Sequence, residues 1–116
     1  MADYVPEKDP NNIEPYHFIW CSKDGTNDGT TADTGELQGA TISTATVTVT
    51  TANGLTKDSS NQDAATIAGI SYGANTLVTV WTSAGTDNTD DDVHCRITTS
   101  DSRTLDKTMI IPVRAQ

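Results

Sequence analysis

One stretch of the sequence has the spacing of a catalytic motif. Residues 69–73 read Gly-Ile-Ser-Tyr-Gly, which matches the G-x-S-x-G pattern of the hydrolase nucleophile elbow. In that elbow a sharp turn between a strand and a helix exposes the serine for attack on a carbonyl. Here residues 74–81 have the composition of a strand, and 116 residues are too few for the doubly wound sheet that holds a triad. We therefore predict that Ser71 lies at a turn between two strands and is not catalytic.

The two histidines are the next candidates for acid–base or metal chemistry. His17 and His94 fall opposite the presumed core positions of their strands, so we expect both to face solvent. Neither has a Cys, Asp or Glu at ligand spacing on a helix, and two scattered imidazoles do not form a zinc site. Neither has an identifiable partner for general-base chemistry. No catalytic, cofactor-binding or metal-ligating residue is therefore predicted.

An Asp- and Gly-rich stretch resembles the start of a calcium loop. Residues 24–29 place oxygen donors at alternate positions and a glycine at the sixth. The twelfth position is Gly35, however, and Glu36 arrives one residue too late to close the loop. A polar turn is the prediction, and cation binding by the loop from Asp24 to Asp33 is left open.

A second acidic cluster is expected to be a solvated loop with at most adventitious cations; it comprises Asp87, Asp90, Asp91 and Asp92.

The two cysteines do not define a metal or redox motif. Cys21 and Cys95 are far apart in sequence, and no CxxC spacing is present. We expect thiols on strands, and leave open a disulfide formed after release into an oxidising medium.

Charge and composition limit the classes of partner. The formal net charge is −9, the isoelectric point is near 4.2, and 34% of residues are hydrophobic. We expect neither nucleic acid nor an anionic membrane surface as a partner, because both are bound through Lys and Arg. No apolar run approaches the roughly 20 residues that cross a bilayer, and the N-terminus lacks the pattern of a secretory signal. We expect synthesis in the cytosol.

The elements that must position these residues are short strands. Residues 1–12 contain prolines and lack alternation, so we expect an extended N-terminal arm followed by a single β-sandwich domain over residues 13–116. Tyr16, Phe18 and Trp20 alternate as a central core strand. Residues 41–51 alternate Thr with apolar residues, and Ile42 falls on the opposite parity, which indicates a bulge. Further strands are predicted over residues 65–71, 77–83, 92–99 and 104–114, with polar loops over 23–35 and 53–63.

Each later strand supplies one apolar row, which two packed sheets require. Trp81 shares parity with Leu77 and is predicted to face the core. Residues 99–103 are predicted to form a hairpin turn. Pro112 indicates an edge or a bulge in the last strand. The fold class is therefore all-β. The strand number and spacing predict an immunoglobulin-like β-sandwich of about six to seven strands, with a small barrel as the alternative.

Three passages resemble a family of short virion proteins, the phage fibre-tail adaptors. The first joins Lys8-Asp9-Pro10 to Tyr16-His17-Phe18-Ile19-Trp20, and the second is the strand at residues 42–49, where Val47 replaces the family's usual Trp. The third comprises residues 79–86, 95–104 and 107–114. The loop at residues 24–33 and the acidic run at residues 90–92 depart from the family pattern, so the partner-selecting loops are expected to be peculiar to this chain.

The resemblance implies a non-enzymatic structural component of a bacteriophage virion. Such a protein bridges the tail to fibres or spikes through contacts with other tail, fibre or capsid proteins. It would be made in the host bacterial cytoplasm and assembled in several symmetric copies, with the arm and strand edges holding neighbours. The partner-binding residues stay unidentified. The alternatives are a capsid decoration protein or head fibre, and a glycan-binding module that uses exposed aromatics such as Tyr72 or Tyr4.

Overall fold

A computed structural model gives the architecture of the chain. It describes residues 8–30, 33–49 and 53–115, together with the backbone of residues 2–4. These residues form an all-β fold, as predicted. The strands are β1 Ala2–Tyr4, β2 Glu14–Ile19, β3 Ile42–Val49, β4 Leu55–Asn61, β5 Ala65–Ile67, β6 Ile70–Tyr72, β7 Leu77–Ala84, β8 Thr89–Thr99 and β9 Thr104–Val113.

Two sheets and one small hairpin contain all of these strands. The larger sheet has the order β1-β9-β8-β3, the smaller sheet has the order β2-β7-β4, and β5 pairs with β6. All pairings are antiparallel except that of β1 with β9. No helix in the described part of the chain is long and apolar enough to span a membrane.

The strand order bears on the immunoglobulin-like assignment. In that fold, one sheet contains the neighbours C, F and G and the other contains B, E and D. The order β3-β8-β9 fits C-F-G and β2-β7-β4 fits B-E-D, with β1 in addition alongside β9. The pattern is that of a sandwich, and the narrower immunoglobulin-like assignment stays a prediction.

The core lies between the two sheets. Tyr16 and Phe18 are opposite Val80 and Val78 in the β2–β7 ladder, and these four side chains are buried. From the larger sheet, β8 and β9 contribute alternate inward residues to the same cluster: Val93, Cys95, Ile97, Met109 and Ile111. Trp20, predicted in the core row with Tyr16 and Phe18, is 1% exposed. The predicted aromatic core row is thus confirmed.

Several strand predictions were confirmed and three were wrong. The register shifts between Ile42 and Thr44, as expected of a bulge, and Thr98 pairs with Thr104 across the predicted hairpin. Residues 53–63 were expected to be a loop but contain β4, an edge strand whose mostly exposed polar residues show no apolar alternation. Residues 65–71 form a hairpin instead of one strand, because the chain reverses at Ala68 and Gly69, both with positive φ.

The third error concerns Trp81. It was expected in the core, yet it is 38% exposed, while Val78, Val80 and Thr82 form the inward row of β7. Leu77 and Thr79 share the parity of Trp81 and are nevertheless buried. The strand therefore has both faces covered at its start and only one face covered at its end.

The N-terminal segment is joined to the rest of the fold. β1 lies parallel to β9, with Ala2 opposite Thr108 and Tyr4 opposite Ile110. Further along, the Lys8 N–H donates to the Pro112 carbonyl at 2.9 Å, and the Arg114 N–H donates to the Lys8 carbonyl at 2.9 Å. The carbonyl of Pro112 therefore points toward the N-terminal arm, and so does its nitrogen, which has no hydrogen to donate. Pro112 lies beyond the residues of β9 that pair with β1.

Candidate protein-interaction surface

The serine of the G-x-S-x-G stretch lies on a strand. Ser71 is exposed in β6 and is opposite Thr66 of β5, close to the turn of the hairpin. The two imidazoles bind other hydroxyls: His17 Nδ1 is 2.9 Å from Thr79 Oγ1, and His94 Nδ1 is 3.0 Å from Thr108 Oγ1. The structure therefore gives Ser71 neither the elbow nor a hydrogen-bonded histidine.

His94 has partners that the sequence reasoning missed. Its Nε2 is 2.8 Å from Asp106 Oδ1, and the same oxygen accepts a hydrogen bond from Arg96 Nε at 2.8 Å. The bonds from Arg96 and then His94 hold the pKa of Asp106 below its usual range. Counting outward from the predicted β8–β9 turn places His94 opposite Thr108 and Arg96 opposite Asp106. The sequence therefore contained enough information to predict this cluster.

This cluster lies on the open outer face of the larger sheet. Thr46, Thr48, His94 and Arg96 line a shallow depression there of about 400 Å³. A hydroxyl, an imidazole and a carboxylate are aligned, but Asp106 and the neighbouring Arg96 are exposed, so the group lies on a solvated strand surface. The arrangement is a surface hydrogen-bond network that ties β8 to β9.

The carboxylate oxygens of the calcium-like stretch accept hydrogen bonds from backbone N–H groups of the same loop. Asp24 Oδ1 accepts the Thr26 N–H at 3.0 Å, and Asp28 Oδ1 accepts the Thr30 N–H at 3.0 Å. These backbone bonds lower the pKa of both carboxyls. The buried Asp33 accepts N–H groups from Gly29 and Gly35. The described residues contain no group of His, Cys, Asp or Glu placed to hold a metal ion.

Other candidate residues also turn inward. Cys21 and Cys95 are buried free thiols, and burial raises the pKa of Cys95 to about 12. Tyr72, expected to be an exposed aromatic, is buried and donates its hydroxyl to the Lys23 carbonyl at 2.6 Å. That part of the glycan-binding hypothesis is therefore wrong. The side chain of Tyr4 lies outside the described residues.

The acidic cluster contains one residue that is not solvated. Asp91 belongs to the inward row of β8 with Val93, and it is 1% exposed. Neither of its carboxylate oxygens has a hydrogen-bond partner among the described residues. Burial raises the pKa of this carboxyl, and the nearby Asn53 and Thr89 side chains offset part of the effect. Asp90 and Asp92 face outward, as expected.

The exposed apolar residues gather on the outer face of the smaller sheet. Among the described residues, the large hydrophobic side chains that are exposed are Ile13, at 64%, and Trp81, at 38%. Trp81 of β7 is opposite Pro15 of β2 on one side and Ser59 of β4 on the other. Ile13 lies one residue before β2 and two residues before Pro15, so continued alternation would put it on the same side as Pro15. We call this surface of Ile13, Pro15, Trp81 and Ser59 the Trp81 face.

Polar groups surround the Trp81 face. His17 and Thr79 form the next cross-strand pair, and their side chains are hydrogen-bonded. On the other side the Ser83 hydroxyl donates to Asp58 Oδ1 at 2.8 Å. An exposed aromatic within a polar rim is the usual anatomy of a protein-binding surface.

A buried lysine holds the chain that leads into this face. Lys8 is fully buried, and its Nζ donates to the carbonyls of Asp9 and Ala84, each at 2.8 Å. Burial lowers the pKa of Lys8, and the nearby Glu14 carboxylate acts in the opposite direction. Because Ala84 belongs to β7 while the Lys8 backbone pairs with β9, this residue connects the two sheets.

A family comparison identifies the kind of protein that carries this surface. The model of the podophage GP4 fiber-tail adaptor protein gp77 matches residues 8–112. The chain belongs to this family. No curated protein sequence matches it.

The family match places the adaptor among the structural proteins of a phage virion, at the tail and its fibres. The matched segment begins at the buried Lys8 and contains every residue of the Trp81 face. The role that the family indicates is structural.

Proposed function

We propose that this adaptor bridges the phage tail to a fibre or spike, and that the Trp81 face is one of its two contact surfaces. The single observation that carries the proposal is that Trp81, on the outer face of the smaller sheet, is 38% exposed and lies opposite Pro15, with the 64% exposed Ile13 just before β2. Isolated surface apolar residues need no explanation, whereas a tryptophan beside a proline and an isoleucine forms a patch.

The composition of the Trp81 face supports a protein partner. Trp is enriched among the few residues that supply most of the binding energy at interfaces, and truncating such a residue costs about 2 kcal/mol or more. The face stands on a sheet whose other side is core, so its backbone is rigid and little conformational entropy is lost on binding. The net charge of −9 supports a protein partner over nucleic acid.

The same charge predicts how binding responds to salt. An acidic adaptor is steered toward a basic surface on the tail or the fibre, so added salt should slow association.

We further propose that several copies occupy symmetric positions on the virion. Quantitative mass spectrometry of purified particles would give the copy number.

The test uses virions that lack the adaptor, reconstituted with purified variants. Trp81→Ser should fold normally, because the side chain is outside the core, and it should bind such particles at least about 30-fold more weakly. Trp81→Phe, which keeps an aromatic ring, should restore part of the binding. Thr46→Ala, on the outer face of the other sheet, is the control and should bind like the parent chain.

Two results would contradict the proposal. One is normal reconstitution by Trp81→Ser. The other is recovery of the adaptor on the capsid shell in electron micrographs of reconstituted particles, which would favour a decoration protein.

A further inference from the structure

The free edge of β2 has an unusual set of backbone groups. The Trp20 N–H donates to the Thr76 carbonyl at 3.1 Å. This bond establishes which residues of β2 direct their backbone N–H and C=O groups toward β7. Because hydrogen-bonded and non-hydrogen-bonded pairs alternate in an antiparallel ladder, Phe18, Tyr16 and Glu14 point their backbone groups toward β7. Pro15, His17 and Ile19 therefore point theirs to the opposite side. The bond from Lys107 Nζ to the Ile19 carbonyl, at 2.6 Å, agrees with this assignment.

That side of β2 is an edge of the sheet. The smaller sheet has β2 at one end and β4 at the other. Among the described residues, the N–H groups of His17 and Ile19 and the carbonyls of Pro15 and His17 have no backbone hydrogen-bond partner on this edge. Unpaired edge groups of this kind are a template for another strand.

Two other free edges, those of β4 and β3, are protected in ways that β2 is not. β4 has a register shift between Lys57 and Ser59, and its exposed residues include a lysine and an aspartate. β3 has a register shift between Ile42 and Thr44. Bulges and charges are the usual means of preventing edge-to-edge pairing. The ladder of β2 runs without a shift from Glu14 to Ile19, and only Pro15 interrupts its donors.

We propose that an extended segment of a neighbouring virion protein pairs with this edge and adds a fourth strand to the β2-β7-β4 sheet. The inference rests on the proposed function, since it specifies how one bridging contact is made. Main-chain hydrogen bonds would supply the attachment, as in other cases of β-strand addition. The strand would lie beside the Trp81 face and extend it.

The surroundings of the edge define the chemistry of this segment. Glu14 begins β2 and Asp9 precedes it, and both carboxylates act on the pKa of Lys8, so carboxylates outnumber the one ammonium at the start of β2. At the other end, Ile19, Cys21, Ile70 and Tyr72 line a depression of about 390 Å³, with the Lys107–Glu36 ion pair at its rim. The incoming strand is therefore expected to carry a basic residue at one end and an apolar residue at the other.

A second copy of the chain fits this edge less well. β1 pairs with Thr108 to Ile110 of β9, and the adjacent Lys107 reaches Ile19, so β1 lies along the same side of the sandwich as the free edge of β2. Two copies joined through β2 would bring their β1 strands together. Two chains of charge −9 would also repel each other.

Hydrogen exchange on the wild-type chain gives the first test. In the isolated chain the amides of His17 and Ile19 should exchange quickly, and the amides of Tyr16 and Phe18, which donate into the ladder, should be protected. In reconstituted virions the exchange of His17 and Ile19 should slow by at least about tenfold, with Tyr16 and Phe18 little changed. Unchanged exchange at His17 and Ile19 would overturn the proposal.

A matched pair of variants gives the second test. His17→Thr and His17→Pro both lose the bond to Thr79, but only the proline removes the edge-facing N–H, and it breaks no ladder bond to β7. His17→Pro should bind adaptor-free virions about threefold to tenfold more weakly than His17→Thr, the effect of one hydrogen bond. Equal binding by the two variants would overturn the proposal. If the proline variant does not fold, the exchange measurement decides.

The two proposals fail in different ways. Loss of binding by Trp81→Ser with normal binding by His17→Pro would leave the Trp81 face as a contact and remove strand addition. Protection of the His17 amide in a concentrated solution of the isolated chain, with dimers in sedimentation, would show a second copy at the edge and would also overturn strand addition.

Discussion

Replacing Asp91 by valine is expected to stabilise the adaptor. The carboxylate is buried in the same row as Val93, is opposite Ile111 of β9, and has no hydrogen-bond partner among the described residues. Burying an ionised group without a partner is unfavourable, and replacing buried charges by apolar residues of similar size commonly stabilises by about 1–4 kcal/mol. We expect the free energy of unfolding to rise by about 2 kcal/mol, and the melting temperature by about 6–10 °C.

The pH dependence of this difference has a definite sign. Burial raises the pKa of Asp91 in the folded chain above its unfolded value of about 3.9, so the folded state binds the proton more readily. The penalty is complete above the folded pKa, where the group is ionised in both states, and it shrinks as the pH falls toward about 4. The advantage of Asp91→Val over the parent should therefore be largest near neutral pH and decrease in acid.

Chemical denaturation at pH 7 and at pH 4 measures both effects. Asp92→Val is the matched control, since it removes the same charge from an exposed position on the neighbouring residue. It should change the free energy of unfolding by no more than about 0.5 kcal/mol. A loss of stability in Asp91→Val, or a gain equal to that of Asp92→Val, would refute the reasoning.

Three further outcomes follow from the packing. Lys8→Ala should lower the free energy of unfolding by about 2–3 kcal/mol, because two part-buried carbonyls lose their donor. A change within about 0.5 kcal/mol in denaturant melts would show that the lysine is not buried. Gly35→Ala should lower the free energy of unfolding by about 3 kcal/mol, because the added Cβ would lie 2.3 Å from a backbone carbon. Gly73→Ala is the near-neutral control, since a Cβ at Gly73 meets nothing within 4 Å. The thiols of Cys21 and Cys95 should react with an aromatic disulfide reagent only on unfolding, and rapid reaction of the native chain would contradict their burial.

The sequence allowed the central part of the fold to be predicted. Alternation in β2, β8 and β9 has a simple cause, because each of these strands has one face on the core and one outside it. The β4 strand could not be found in this way. It lies at an edge with both faces largely solvated, so its residues carry no apolar period.

The Trp81 face was missed for a related reason. β7 is the middle strand of its sheet, and residues 77–80 are buried on both faces, so parity with Leu77 does not establish that Trp81 is buried. Aromatic residues in strands are usually core residues, and composition alone offers no sign that this one is exposed. The buried position of Lys8 was hidden in the same way, since its partners lie on β7 and β9, far along the chain.

A density map of the intact virion at side-chain resolution tests the central claim most directly. It should show this adaptor between the tail and a fibre or spike, with Trp81 covered by another protein. Adaptor density in which Trp81 faces solvent, or which lies on the capsid lattice, would contradict the account.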